Sequence, residues 1–154
     1  MNSDGVVKEA FWRTLIGDRD EQGGPAPSWM RRACEEIYKE NGHGDLDTKK
    51  LLEVKADQTV ALSSNMKSFL KRVQAVTWNR RIIVKDEEPA GLIPADARKD
   101  DHVCVLFGCD VPVLLRRHEA ECGTWELVGE VYFHGIMDGE AMSRSYEEET
   151  FLLV

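Results

Sequence analysis

His102-Val103-Cys104-Val105-Leu106-Phe107-Gly108-Cys109-Asp110-Val111-Pro112-Val113-Leu114-Leu115-Arg116 is the stretch that decides the fold. A β-branched and aromatic run, a Gly-Cys-Asp reversal and a second aliphatic run read as two strands joined by a tight turn. The reading predicts a strand over 102–107 and a return strand over 111–116. Pro112 belongs near an edge, because it has no N–H to give to a ladder. Toward the C-terminus, 119–123 reads as the next turn, and 124–133 as a strand pair or one long bent strand with Gly129 a candidate bulge. Toward the N-terminus, 81–85 is a strand by β-branched content, 86–89 a turn and 91–93 a short strand, and Pro94 opens an irregular crossing. Short strands with turns about every ten residues predict a small, strongly bent antiparallel sheet or a partly open β-barrel.

Ahead of these strands the period changes to that of helices. Over residues 6–16, Val7, Ala10, Phe11, Thr14 and Leu15 fall at three- and four-residue spacing, with Ser3 or Asp4 to cap the start and Gly17 to end it. Ser28 caps a second helix whose stripe is Trp29, Met30, Ala33, Cys34, Ile37 and Tyr38, and Asn41-Gly42 stops it. Residues 46–62 are ambiguous between a short helix and irregular packing around Leu51, Leu52 and Val54. Ser63 or Ser64 caps a further helix with Met66, Phe69, Leu70, Val73, Ala75 and Val76 on its apolar face, ending near Thr77 or Trp78. Helices first and strands later is the α+β arrangement, with the N-terminal helices packed on the bent sheet. With 154 residues, a single domain 1–154 is expected: a helical part over about 6–78, a β part over about 80–142 and an acidic tail over 143–154. Phe151 to Val154 is apolar and is expected to dock back on the body.

The formal net charge of −8 argues against a nucleic-acid binder, which needs clustered Lys and Arg, and against anionic membranes. No apolar run reaches the length of a membrane span, and Met1 to Gly5 shows no leader pattern. Cys34, Cys104, Cys109 and Cys122 form no C-x-x-C pair and read as reduced thiols of a cytoplasmic protein. His102-x-Cys104, Cys109 and His118-x-x-x-Cys122 fit no standard zinc spacing, so no metal is expected. There is no P-loop, nucleophile elbow or dinucleotide fingerprint, and no cofactor is expected.

Chemistry concentrates in Tyr132-Phe133-His134-Gly135-Ile136-Met137-Asp138-Gly139-Glu140-Ala141. Two readings stand side by side. In one, His134 is a proton carrier with Asp138 or Glu140 orienting it, and these three are the catalytic candidates of an enzyme. In the other, Asp138 caps a short terminal helix, Glu140 sits in its first turn, His134 bonds a carbonyl, and Gly135 and Gly139 take positive φ. Arg116 is a candidate for holding an anionic ligand, or pairs with Glu130 or points to solvent. Asp101 is the weaker ligand candidate, or bonds its own turn.

Several stretches together resemble the C-terminal region of fungal heterokaryon-incompatibility (HET) proteins. These are Phe11-Trp12-Arg13-Thr14-Leu15, Arg80-Arg81-Ile82-Ile83-Val84, Gly91-Leu92-Ile93-Pro94, Asp101 to Gly108, Val111 to Arg116 and, above all, Leu127 to Ala141. No part of the chain resembles the HET domain itself, so the death activity linked to that domain does not carry over. The resemblance implies a non-enzymatic interaction or regulatory domain that binds a protein partner or folds back on a HET domain. The alternative is a small-molecule enzyme or binder with a pocket near His134.

Overall fold

The structure is a computed structural model that describes residues 7–41, 47–53, 62–85, 88–118, 123–143 and 148–154. The chain forms two compact units, Met1–Trp78 and Asn79–Val154. The first is helical and the second is built of strands, which makes the fold α+β.

The helical unit contains α1 (Glu9–Ile16), α2 (Trp29–Asn41), α3 (Thr48–Glu53) and α4 (Ser64–Thr77). Its core takes the helix-spaced residues Trp12, Leu15 and Ile16 from α1, Met30, Ala33, Cys34 and Ile37 from α2, and Met66, Phe69, Leu70 and Val73 from α4. The α2 residues are those of the expected stripe, but α1 buries Trp12 and Ile16 where Ala10 and Phe11 were expected, and at the end of α4 Ala75 is exposed and Val76 only half-buried. α1 starts at Glu9 rather than at residue 6, and Lys8 at its N-cap offers no side-chain hydrogen bond. The expected caps Ser3 and Asp4 lie outside the described residues. The helix stops as expected at Gly17, with φ of 63°. There the Gly17 and Asp18 N–H groups donate to the Thr14 and Arg13 carbonyls, which satisfies the last turn. Arg72 of α4 donates from Nε to the Ile16 and Arg19 carbonyls, 3.1 Å each, and so ties α4 to the end of α1. Ser63 caps α4 by accepting from the Met66 N–H at 3.2 Å. The ambiguous 46–62 region contributes α3, whose Leu51 and Leu52 flank the core without full burial. Burial, with a smaller push from Glu35, raises the Cys34 thiol to about 12 and leaves it protonated and inert.

One core group has no visible function. Thr14 is fully buried, and its Oγ1 finds no hydrogen-bond partner among the described residues. An unsatisfied buried hydroxyl carries its desolvation cost without compensation. Thr14→Val, which keeps the shape, is expected to raise stability by about 1 kcal/mol in urea titration. A loss of similar size would mean that the hydroxyl holds a buried water.

The second unit contains β1 (Arg80–Lys85), β2 (Glu88–Pro94), β3 (His102–Cys104), β4 (Val113–Arg117), β5 (Thr124–Glu130), β6 (Tyr132–Phe133), a 3-10 turn over Glu140–Ser143, and β7 (Leu152–Leu153). These strands make two ladders, ordered β1-β2-β6 and β3-β4-β5-β7. All neighbours are antiparallel except β5 and β7. The bent sheet expected from the sequence is thus two sheets, and they do not close into a barrel. The division falls at Val131, between β5 and β6. Its N–H bonds the Pro112 carbonyl at 3.0 Å, and its side chain is buried with Ala97 and Leu114. The predicted 124–133 strand therefore serves both sheets in turn.

A bulge is present, one residue before the Gly129 at which it is expected. Leu114 pairs with Gly129 and Leu115 with Leu127, so Val128 is the extra residue. The 102–107 strand is shorter than predicted, pairing only through Cys104. Pro112 lies just outside β4, which is an inner strand and has no place for a residue lacking an N–H. β4 is covered on both faces. Val113 and Leu115 pack with Trp125, and Leu114 packs with Ala97 and Val131. No helix among the described residues is long and apolar enough to cross a membrane.

Candidate functional site

Register brings the first pair of candidate residues together. His102 pairs with Leu115, so the next positions outward on the two strands are Asp101 and Arg116. Arg116 grips the Asp101 carboxylate with both arms of its fork, Nε to Oδ1 at 2.9 Å and Nη2 to Oδ2 at 2.8 Å. The Asp101 side chain is 2% exposed and that of Arg116 16%. Asp101 also accepts from the Arg98 N–H at 2.7 Å and donates its own N–H to the Arg98 carbonyl at 3.2 Å. The second Arg116 arm reaches the Asp96 carbonyl at 2.9 Å, and Arg81 reaches the Ala97 carbonyl at 3.4 Å. The 96–101 turn is thereby fastened to β4 and β1.

Burial alone would push the Asp101 carboxyl up. Hydrogen bonds from Arg116 and the Arg98 amide, with the charges of both arginines, outweigh it and hold the group below the usual carboxylate range. The Asp101 bonds keep Arg116 charged above its ordinary value. The two oxygens and the fork are occupied by each other, an arrangement that clamps a turn. The alternative partner considered for Arg116, Glu130, lies opposite Val113 instead.

The second group of candidates lies on the turn that follows β6. His134, Asp138 and Glu140 are all exposed. The His134 Nδ1 stands 3.4 Å from the hydroxyl of buried Tyr132. Glu140 accepts from the Asp138 N–H through Oε2 at 2.7 Å, and its carbonyl accepts from the Ser143 hydroxyl at 2.7 Å. Gly135 and Gly139 take φ of 81° and 87°, and Met137 Sδ lies 3.5 Å from the Phe133 N–H it accepts. The short terminal helix is the 3-10 turn 140–143, and the Glu140 carboxylate bonds back to the Asp138 N–H that precedes it. Chemically this is a tight turn that uses its acid on its own backbone.

Sequence reasoning missed a third grouping. His102 of β3, Trp125 of β5 and Phe151 ahead of β7 stack edge to face, with ring centroids 4.9 Å and 5.1 Å apart. As a site residue, the sequence offers His102 only in a metal-ligand spacing. Among the described residues no cluster of His, Cys, Asp or Glu is arranged to hold a metal ion. The available signal was the apolar character of 151–154 after an acidic run.

These features define an α+β protein whose β unit is organised around an inner strand, a clamped turn and a docked tail. The family model of the Het-6 beta-barrel domain matches residues 28–154, and the chain belongs to that family. No curated protein matches the chain, and no solved structure does.

Proposed function

We propose that the chain is a non-enzymatic interaction and regulatory domain that binds a protein partner, with a HET domain as the partner class to test first. One observation carries the reading. On β3 and its continuation, Cys104 and Leu106 turn inward to the core, while Val103, Val105 and Phe107 turn outward, Phe107 being 74% exposed. β3 is the edge of its sheet, and residues 103–109 bear no charge in a chain of net charge −8. An apolar edge strand is a template for another chain, and proteins ordinarily guard such edges with charge. Family membership is consistent with this role.

The test is biolayer interferometry of the purified chain against HET domains. Val105→Lys/Phe107→Ser is expected to weaken binding by at least about tenfold with unchanged circular dichroism, since an exposed aromatic anchor contributes at that level. The reading is overturned if the wild type converts a compound in a metabolite mixture and a folded His134→Ala/Glu140→Ala variant does not.

A further inference from the structure

The tail strand β7 is held in an unusual way. It covers only Thr124 and Trp125 of the seven-residue β5, supplemented by one bond from the Val154 N–H to the Trp125 carbonyl at 3.0 Å. A ladder of two residue pairs is marginal by itself. The anchor is Phe151, half-buried with its ring perpendicular to that of Trp125, beside the core of Val113 and Leu115. Leu152, Leu153 and Val154 remain exposed, although all are apolar. The segment is therefore seated as a peptide is seated: one aromatic side chain in a socket, a few main-chain bonds, the rest on the surface. Further along the same strand Leu127 is exposed, and so are the carboxylates of Glu126 and Glu130.

We infer that the β5 edge with its Trp125 socket is a peptide-binding groove, occupied in this structure by the chain's own tail. Its partner is an extended protein segment running parallel to β5, with an aromatic residue for the socket, aliphatic residues after it, and Lys or Arg where it passes Glu126 and Glu130. The chain's own Phe151-Leu152-Leu153-Val154 displays the first two requirements, and charge complementarity sets the third. The tail acts as a built-in competitor that a longer partner displaces. This inference concerns the sheet edge opposite to β3, so its failure leaves the β3 surface and its own test untouched.

A fluorescein-labelled peptide TFLLKLTLK, whose lysines fall opposite Glu126 and Glu130 in the register of the tail, is titrated into the full chain by fluorescence anisotropy to test it. A competitor docked nine-tenths of the time weakens apparent affinity about tenfold. Phe151→Ala in the full chain is therefore expected to bind the peptide at least about tenfold more tightly than wild type. A peptide with Ala in place of its Phe is expected to lose binding, and added salt to weaken it. Val154→Pro, which deletes the bond to Trp125 at an exposed position, serves as a second release variant if Phe151→Ala does not fold. Folded release variants that bind the peptide no better than wild type would overturn the groove. Self-association of the wild type that Phe151→Ala abolishes would also overturn it, in favour of tail exchange between copies.

Discussion

Gly91→Ala is expected to separate β6 from β2 and to lower the melting temperature by roughly 10 °C or more. Gly91 pairs with Phe133, and a methyl group on its Cα would meet the Tyr132 carbonyl oxygen and lie 2.8 Å from the Phe133 ring. A ring can turn away, but a carbonyl held within the ladder cannot. The β2–β6 pairing consists of two residue pairs, Gly91 with Phe133 and Leu92 with Tyr132, so one forced shift removes half of it. Leu92 is fully buried and Tyr132 nearly so, and both then lose packing. Because β6 leads directly into the His134 turn, amide shifts there are expected to move as well. Thermal unfolding together with an amide spectrum of the variant checks both effects. A variant within a degree of the wild type would mean that β6 is free to slide on β2.

The second large effect belongs to Asp101. Asp101→Asn keeps the shape but removes the charge that accepts both arms of Arg116 and the Arg98 amide. At neutral pH the melting temperature is expected to fall by roughly 10 °C, since charge-assisted bonds to a buried carboxylate are replaced by weaker neutral ones. The pH dependence gives a sharper signature. In the unfolded chain the carboxyl titrates near about 3.9. In the folded chain it titrates lower, because Arg116 and Arg98 prevail over burial. The folded state therefore binds fewer protons than the unfolded state across that interval. The stabilisation is complete above the unfolded value and is lost as pH falls through the folded one. The gap between wild type and Asp101→Asn is expected to be constant from pH 6 to 8 and to close below about pH 4. A gap that persists at low pH would assign the effect to shape rather than charge.

The helical unit was largely legible in the sequence because its information is local. The stripes of α2 and α4, the Ser63 cap and the Gly17 stop depend on residues within one or two turns of each other. The ambiguity at 46–62 had a physical basis as well: α3 buries no residue fully, so no strong apolar period marked it. Strand content was legible in the same way. Strand partnership was not, since pairing depends on segments far apart in the chain. Residues 124–133 read as continuous or paired strand, and nothing local to Val131 announces that its N–H belongs to Pro112 and that the chain changes sheets there.

The candidate residues divide along the same line. His134, Asp138 and Glu140 stood out because they are crowded into seven positions, and the structure finds the acid of Glu140 turned to its own backbone. Asp101 and Arg116 were each noticed alone. They stand fifteen positions apart, and only the register of β3 on β4 makes them one group. Residue type and short-range spacing by themselves determined the α+β class, the α2 face and the regions that hold strands, though not every strand boundary, and the family was legible as a resemblance of ordered motifs. Tertiary structure alone decided that the strands form two sheets, that Asp101 and Arg116 close on each other, and that Phe151 sits on Trp125, because these contacts are selected by burial and hydrogen-bond satisfaction across the whole unit.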